Sequence, residues 1–352
     1  MNAPFALARE QIRTVDLRQP DEAARIDGFV AERGGSLFHR PAWLLAVERG
    51  TGQRARGLVA EKGGALAGWL PLSEVHSPIF GRVLVSSGFA VEGGALAERS
   101  TTAEALCRAA EEYARRLSCP TIELRGGVAP EHWRVRTDSH CGFVQDLAED
   151  DEEQLLAIPR KQRAEVRKGL AEDLTVHVGR DAADRAAHYA VYAESVRNLG
   201  TPVFSRSLFE AALDALDSDI LTIRHRGVPV ASVLSFYHDG AVLPYWGGGT
   251  WAARRLRAND RMYYELMLHA RRRGCTRFDF GRSKTGSGAW AFKKNWGFDP
   301  EPLSYASWTA PGAEARDADP TSSRHAARIA FWRRLPLPVA NLLGPSIARG
   351  LG

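Results

Sequence analysis

The sequence predicts an α/β protein with mixed α+β sheets, built from two similar halves and a C-terminal amphipathic tail. Three observations predict this fold. A strand, a Gly-containing turn and a second strand occur at residues 58–70 and recur at 223–236. Each copy continues into a Gly-rich strand and then a helix that ends in basic residues. Each closes with a short buried strand headed by a cysteine, and such a repeat indicates a duplicated domain.

The later elements follow the same order in both halves. In the first half, the Gly-rich strand, the helix and the buried strand are expected at 83–94, 102–117 and 119–126. In the second half they are expected at 241–249, 260–273 and 275–281. Alignment of the halves places Cys119 with Cys275 and Glu123 with Asp279. The two buried strands are therefore expected to be equivalent.

Further helices are predicted where the two halves join. An acidic run at 149–153 precedes Pro159, and acidic residues followed by proline are typical of a helix N-terminus. A basic helix is therefore expected at 160–170, and two more at 181–198 and 205–216.

Changes in composition predict the limits of the domains. Beyond Trp308 the chain is rich in Pro, Ala, Gly, Asp and Ser, as linkers are. Together with the acidic run, this change predicts an N-terminal domain at 1–150, a C-terminal domain at 151–310, and a linker with the tail at 311–352.

The composition is that of a packed globular protein, with 352 residues of which 44% are hydrophobic and 25% charged. The sequence has no run of 18 apolar residues and no basic start followed by an apolar block. Neither a spanning helix nor a secretory signal is therefore expected. The four cysteines and ten histidines are scattered, which argues against a disulfide framework and a metal site. These features predict a cytoplasmic protein without a metal.

The charge is distributed unevenly. The net charge is +5 overall, with −2 in residues 1–150, +4 in 151–310 and +3 in 311–352. A basic second half is typical of proteins that bind an anionic ligand, although an ordinary solubilising surface explains it as well.

The segment 278–298 holds the densest group of candidate site residues. It has no Lys directly after its second Gly, so it is not a phosphate-binding loop of the nucleotide triphosphatases. A strand delivers Asp279, and the Gly- and Ser-rich loop with Arg282, Ser283 and Lys284 is expected to offer free backbone N–H groups to an anion. Phe292 and Lys293 follow among large aromatic residues. The alternative is that Lys293 lies on an exposed strand and the aromatic residues form core.

Two other basic segments have two interpretations each. The basic helix, which begins with Arg160 and Lys161, either binds phosphates or forms a solvated face paired with the acidic run. The tail carries Ile329, Trp332 and Leu335 at a spacing of three, flanked by arginines. Residues 324–352 are therefore expected either to rest on an anionic membrane surface or to dock on their own domain.

Several segments in order resemble Fem-type proteins, in particular the FemAB-related proteins associated with exosortase/PEP-CTERM exopolysaccharide loci. The resemblance covers about residues 36–308. Its motifs are FHRPAW (38–43), IPRKQRAEVRKGL (158–170), LGTPVFSR (199–206), VLSFY…VLPYWGGG…ANDRMYYELM (233–267) and GCTRFDFGRSKTGSGAWAFKKNWGF (274–298). It implies two tandem GNAT-like acyltransferase domains, in agreement with the repeat.

The resemblance also implies an activity, the transfer of an aminoacyl group from aminoacyl-tRNA to an amine of a peptidoglycan precursor. Phe292 and Lys293 take the place of a motif at the reacting centre of this family. The resemblance implies that Lys293 stabilises the oxyanion, Arg206 contacts a diphosphate of the precursor and Tyr245 lies near the acceptor. Asp279 is a candidate base, or forms an ion pair with Arg282.

Two departures from the family leave the donor open between aminoacyl-tRNA and acyl-CoA. The sequence has no room for the coiled-coil arm of some Fem proteins, and Gly247–Gly249 is not followed by a GNAT pyrophosphate loop. Either donor would be a co-substrate, and no tightly bound cofactor is expected.

Three functions remain open. The first is aminoacyl or acyl transfer to a UDP-linked or lipid-linked envelope precursor, at the cytoplasmic face of the membrane. The second is an acyl-CoA-dependent N-acyltransferase that acts on an amino sugar of an exopolysaccharide. The third is a non-catalytic membrane-peripheral scaffold. None of them involves DNA.

Overall fold

The computed structural model describes residues 10–314 and 326–350, which divide into two compact units. Unit 1 combines residues 10–136 with 304–314 and 349–350, and unit 2 combines 137–303 with 326–348. Every helix in these two described stretches is too short or too polar to cross a bilayer.

The secondary structure alternates helices and strands along the chain. The helices are α1 (Pro20–Glu32), α2 (Pro41–Thr51), α3 (Ser100–Arg116), α4 (Asp151–Ala157), α5 (Arg160–Ala171), α6 (Ala182–Leu199), α7 (Arg206–Ala215), α8 (Trp251–Arg255), α9 (Ala258–Arg272), α10 (Gly288–Asn295), α11 (Ala326–Arg334) and α12 (Leu337–Ala348). The strands are β1 (Gln11–Thr14), β2 (Arg54–Lys62), β3 (Ala65–Ser77), β4 (Gly81–Val85), β5 (Leu96–Ala97), β6 (Thr121–Arg125), β7 (Arg134–Arg136), β8 (His140–Gly142), β9 (Val144–Asp146), β10 (Leu174–Gly179), β11 (Ser218–His225), β12 (Val228–His238), β13 (Ala241–Gly249), β14 (Arg277–Asp279), β15 (Ser283–Lys284), β16 (Glu301–Pro302) and β17 (Tyr305–Thr309).

Each unit is built on one mixed sheet. The sheet of unit 1 has the order β1-β2-β3-β4-β6-β17-β7, with β5 paired to β3, and that of unit 2 has the order β10-β11-β12-β13-β14-β9. Each contains one parallel pair, β4 with β6 and β13 with β14. A small sheet of β15, β8 and β16 completes unit 2. The predicted fold class, a mixed α/β protein with two similar sheets, is confirmed.

The two halves of the internal repeat also agree in which residues of their parallel strands lie opposite each other. Leu84 lies opposite Ile122 in unit 1, and Val242 lies opposite Phe278 in unit 2. The cysteine alignment of the sequence predicts this match. Glu123 and Asp279 likewise occupy equivalent positions on β6 and β14.

In each sheet, the strand that pairs with β6 or β14 on the side away from the parallel partner comes from a distant part of the chain. In unit 1, β17 (305–309) pairs with β6, so that Ser307 lies opposite Glu123. In unit 2, β9 (144–146) pairs with β14, so that Val144 lies opposite Asp279. The compact units therefore differ from the continuous ranges expected from composition, because a composition change marks an exposed linker and carries no information on strand pairing.

The predicted helices around the join are present, and local signals explain their ends. Asp150 caps α4 by accepting from the N–H groups of Glu152 and Glu153. Asp181 caps α6 in a capping box with Asp184, and α6 ends at Gly200 with a left-handed φ of 85°.

The segment 83–94 differs from the expected continuous strand. Its strand part, β4, ends at Val85, and Ser87 and Phe89 then adopt a φ of 58°. The buried guanidinium of Arg125 holds this turn by donating to the carbonyls of Ser87 at 3.2 Å and Ala90 at 2.9 Å. The pattern of small and apolar residues does not reveal such a turn.

The tail docks on unit 2, which is one of the two predicted alternatives. Trp332 on α11 is buried, and Arg333 donates to the carbonyl of Leu199 at 3.2 Å. A Cβ on Gly200 would lie 2.5 Å from Ile329, so the end of α6 and α11 are in close contact. The side chain of Arg328 lies outside the described residues.

Candidate active site

A cavity of about 230 Å³ lies in unit 2 at the C-terminal end of β13. Residues of α6, α8, α9 and α10 complete its wall. It is lined by Ser195, Asn198, Leu199, Gly247, Gly248, Gly249, Thr250, Arg254, Asn259, Tyr263 and Phe292. The wall therefore combines a glycine strand end, several neutral polar groups, one arginine and two aromatic rings.

The three glycines are required because neighbouring side chains approach the backbone closely. A Cβ on Gly248 would lie 2.4 Å from Oγ of Ser195, and one on Gly249 would lie 2.4 Å from Oδ1 of Asn259. Any larger residue would drive these polar groups away from the strand or fill the space between them. The run Gly247–Gly249 thus keeps the cavity open and places polar groups around it.

Tyr263 offers a hydroxyl donor to the cavity. Its ring packs against Phe280 and Phe292, with centroids at 4.8 and 5.7 Å. Within the described part of the chain, its hydroxyl has no hydrogen-bond partner. Burial raises the pKa of Tyr263 to about 12, so the phenol keeps its proton at neutral pH. The hydroxyl is therefore free to donate to a bound molecule.

Phe292 and Lys293 are neighbours on α10 but have different surroundings. Phe292 lines the cavity, whereas the side chain of Lys293 turns into unit 2 and is only 9% exposed. The Lys293 ammonium donates to the carbonyl of Gly281 at 3.1 Å and to that of Arg282 at 2.9 Å. It thereby joins α10 to the loop that follows β14. The expected alternative of an exposed strand for Lys293 is wrong, because the segment is helical and the lysine is buried.

The charge of Lys293 is held in an apolar setting. Its Nζ lies 5.2 Å from the ring centroid of Phe143 and 5.6 Å from that of Phe280. Desolvation lowers the pKa of Lys293 to about 8, and the negative charge of Asp279 opposes this shift. The group is a cation at neutral pH that loses its proton at mildly alkaline pH.

Asp279 is partly buried and lies near Lys293. Burial raises the pKa of its carboxyl group, against the N–H group of Gly281 and the charge of Lys293, which both lower it. The N–H of Gly281 donates to the carboxylate at 2.8 Å. Asp279 and Lys293 thus both contact the same short loop.

The expected anion-binding loop does not have free backbone donors at its key positions. Ser283 and Lys284 form β15 and pair with β8. The N–H of Thr285 donates to Ser139, and that of Ser287 donates to Lys284. The glycines and serines here form tight turns and the N-cap of α10. The hydroxyl of Ser287, the N-cap residue, accepts a hydrogen bond from the N–H of Trp290. The sequence pattern alone does not distinguish these uses from an anion site.

The remaining predicted site residues lie away from the wall of the cavity. Arg206 is exposed at the first position of α7 and pairs with Glu210 at 3.0 Å. Tyr245 on β13 packs edge-on against Trp246 with centroids 5.2 Å apart. Arg160 and Lys161 are exposed at the start of α5. Their proposed contacts with a substrate stay predictions.

Sequence reasoning missed most residues that line the cavity. Ser195 and Asn198 are ordinary polar residues of a helix, and Tyr263 lies in a pattern of apolar residues that reads as a core face. The glycine run at the end of β13 was the available signal, because three successive glycines at a strand end indicate close approach of other atoms. Among the described residues, no three His, Cys, Asp or Glu side chains are grouped to hold a metal ion.

Residues 160–294 match the family model described as an acetyltransferase (GNAT) domain. This range contains every residue that lines the cavity. No curated protein sequence matches the chain.

Several solved structures share the fold over most of the chain. The crystal structure of FemX is similar with a TM-score of 0.65 and 16% identity, covering 84% of this chain and 96% of FemX. A tandem GNAT protein from the clavulanic acid biosynthesis pathway has a TM-score of 0.58 and 11% identity, covering 87% of this chain and 100% of that one. L-PGS from Bacillus licheniformis has a TM-score of 0.53 and 13% identity, covering 88% and 96%. At these identities the similarity shows the fold, and the chain has the tandem GNAT fold of FemX.

Proposed function

We propose that unit 2 transfers an acyl or aminoacyl group to an amine, with the acyl group of the donor bound in the cavity at the end of β13. One observation carries this proposal. Within the segment that matches a GNAT domain, three glycines keep open a cavity lined by Tyr263, whose hydroxyl has no hydrogen-bond partner among the residues that the structure describes. A narrow pocket with a few directed polar groups is typical of a site for a small reacting group.

The reaction follows from the chemistry of such donors. The amine nitrogen attacks the carbonyl carbon, a C–N bond forms, and the carbonyl oxygen becomes an oxyanion. The C–O bond of an ester or the C–S bond of a thioester then breaks. The nitrogen loses one proton and the leaving oxygen or sulfur gains one. The protein therefore has to stabilise the oxyanion and transfer one proton from the nitrogen to the leaving group.

Lys293 and Tyr263 are proposed to stabilise the oxyanion. Two N–H groups of the Lys293 ammonium donate to backbone carbonyls and the side chain does not line the cavity, so its positive charge is proposed to act on the oxyanion through space. In an apolar site this charge acts more strongly than it would in water. The Tyr263 hydroxyl supplies a neutral donor from the wall of the cavity. Both side chains lie beside the ring of Phe280, Tyr263 with ring centroids 4.8 Å apart and Lys293 with its Nζ 5.6 Å from the centroid.

Asp279 is proposed to accept the proton of the amine. Its raised pKa makes the carboxylate a better base than an exposed one, and its partner Gly281 belongs to the loop held by Lys293. The carboxylate, the ammonium and the cavity wall would then act together.

The proposed acceptor is an amine of a cell-envelope precursor, a peptidoglycan-type peptide or an amino sugar. The fold likeness to FemX supports the first, for which aminoacyl-tRNA is the donor implied by the resemblance. Acyl-CoA is the alternative donor, favoured by the likeness to a tandem GNAT protein whose structure is described as lacking acetyl-CoA. Arg206 and Tyr245 are proposed to contact the acceptor outside the cavity.

Thermal shifts test the choice of ligand. The purified chain is heated with UDP-linked muropeptide, UDP-amino sugars, acetyl-CoA or charged tRNA, since a ligand that binds the folded state raises the unfolding temperature. A shift with muropeptide and charged tRNA supports aminoacyl transfer. A shift with only acetyl-CoA and an amino sugar supports acyl-CoA-dependent transfer. The absence of any shift contradicts both and favours the scaffold.

A further inference from the structure

The helix α12 (Leu337–Ala348) packs on unit 2 through its small residues. Its buried positions are Ala340, Gly344 and Ala348, which lie four residues apart and share one face. A Cβ on Gly344 would lie 2.9 Å from the backbone nitrogen of Val203, so the helix lies directly against the chain beyond α6. This contact leaves no room for large side chains.

The large apolar residues of α12 consequently face outward. Val339, Leu342 and Leu343 are 39%, 77% and 47% exposed, and their spacing of three and four residues places them on one face. Phe331 on α11 is 65% exposed as well. An amphipathic helix of a globular domain normally buries its large apolar residues, so this arrangement is reversed. We name Val339, Leu342 and Leu343 the tail face. Clustered exposure of this kind marks a surface that contacts a partner.

The charges around the tail face indicate the nature of that partner. Residues 320–352 contain five arginines and no Asp or Glu, and α12 itself contains no charged residue. Arg333 and Arg334 are exposed at the C-terminal end of α11, just before α12. An anionic bilayer complements an apolar helix face that follows two exposed arginines. A second copy of the same face would instead bring arginine against arginine.

The tail face is also linked to the candidate active site within unit 2. Arg333 on α11 donates to the carbonyl of Leu199, and Leu199 lines the cavity and is 58% exposed. Leu199 at the end of α6 thus contacts the tail and also lines the cavity.

We propose that the tail face rests on the surface of an anionic bilayer, with the apolar side chains at the lipid interface and the arginines at the headgroups. Docking would bring the cavity of unit 2 to the membrane, where a lipid-linked acceptor is found. The statement about the acceptor rests on the proposed function, whereas the binding of lipid does not.

Co-sedimentation of the full chain with vesicles tests the proposal. The vesicles contain phosphatidylglycerol with phosphatidylethanolamine, or phosphatidylcholine alone. We expect binding to the first that weakens as salt is raised, and little binding to the second. The double substitution Leu342→Glu, Leu343→Glu is expected to weaken binding at least about tenfold, since two apolar side chains leave the interface. Val228→Glu, at a residue of β12 that is 62% exposed, is the matched control and is expected to bind normally.

A second variant and a second measurement complete the test. Arg334→Glu is expected to weaken binding to the anionic vesicles while leaving the fold unchanged, as judged by the unfolding temperature. Failure of the wild-type chain to bind anionic vesicles, or equal binding by the double variant, would overturn the proposal. So would light scattering that shows a dimer dissociated by Leu342→Glu, Leu343→Glu. Because no substrate is used, a failure of the proposed transfer reaction leaves these outcomes unaffected.

Discussion

The ammonium of Lys293 donates a hydrogen bond to the carbonyl oxygen of Arg282 at 2.9 Å, within an apolar pocket of unit 2. This contact fixes the positive charge of the residue that follows Phe292 on α10, and Phe292 itself lines the cavity. The proposed mechanism depends on that charge.

Replacement of Lys293 by methionine should lower the rate of acyl transfer by about 10²- to 10³-fold, as expected for the loss of one oxyanion donor. The matched control is Lys294→Met, because Lys294 is exposed and its ammonium lies over the ring of Trp290 at 4.9 Å. Its rate should be that of the wild type. Single-turnover rates of the two variants check the prediction, and normal transfer by Lys293→Met would refute the role given to this charge.

The pKa of Lys293 predicts opposite effects of pH on activity and stability. The folded-state pKa of about 8 lies below the ordinary value of 10.5, so above pH 8 the unfolded chain holds more protons than the folded one. The wild type should therefore gain stability relative to Lys293→Met as pH rises from about 8 to 10.5, by at most about 1.4 kcal/mol per pH unit. Transfer should fall over the same range, because the oxyanion then loses its cationic partner. Rates and denaturant unfolding at several pH values check both. Because the amine acceptor itself becomes a better nucleophile as it loses its proton, the wild-type rate is compared with that of Lys293→Met at each pH, and a ratio that does not fall above pH 8 would contradict the role given to this charge.

Tyr263→Phe should reduce transfer by about 10²-fold with little change in unfolding temperature. The ring keeps its contacts with Phe280 and Phe292, and the lost hydroxyl has no partner among the described residues. Tyr264→Phe is the control, since the hydroxyl of Tyr264 donates to the carbonyl of Asp151. That variant should lose some stability and keep its rate. The reverse pattern in the two variants would exclude Tyr263 from the site.

Gly248→Ala should block the cavity, because the new Cβ would lie 2.4 Å from Oγ of Ser195. We expect transfer to fall at least about tenfold, since small displacements of a bound group have large effects on rate. Adding Ser195→Gly removes the opposing atoms and should restore part of the rate. Gly28→Ala is the control, because a Cβ there meets no atom within 4 Å and should stabilise α1 by about 0.5–1 kcal/mol. An unaffected rate in Gly248→Ala would show that the acyl group binds elsewhere.

The sequence is sufficient to predict most of the fold, because the repeat is carried by local signals. Gly227 has a φ of 80° in the turn between β11 and β12, and Gly63 and Gly64 occupy the equivalent turn between β2 and β3. The strands β9 and β17, which join their sheets from distant parts of the chain, could not be predicted in the same way. Each pairs with a strand more than 100 residues away, and a local pattern carries no information on such a partner.

The sequence predicts only part of the candidate site. The motif around Phe292 predicts that this residue belongs to the site, and Phe292 lies at the cavity on α10. The role of Tyr263 depends on which face of α9 turns toward β13, and that is decided by packing across unit 2. Likewise, the burial of Lys293 follows from the tight loop after β14, whose turn at Gly281 has a φ of 65°.

The most direct test of the central claim is mass-spectrometric detection of the transferred group. The wild-type chain is incubated with UDP-linked muropeptide or a UDP-amino sugar, together with charged tRNA or acetyl-CoA, and the mass of the acceptor is then measured. The account predicts an acceptor heavier by one aminoacyl or acyl group, formed at a rate that Tyr263→Phe and Lys293→Met each lower strongly. An unmodified acceptor with every donor, or a product formed equally fast by both variants, would contradict it.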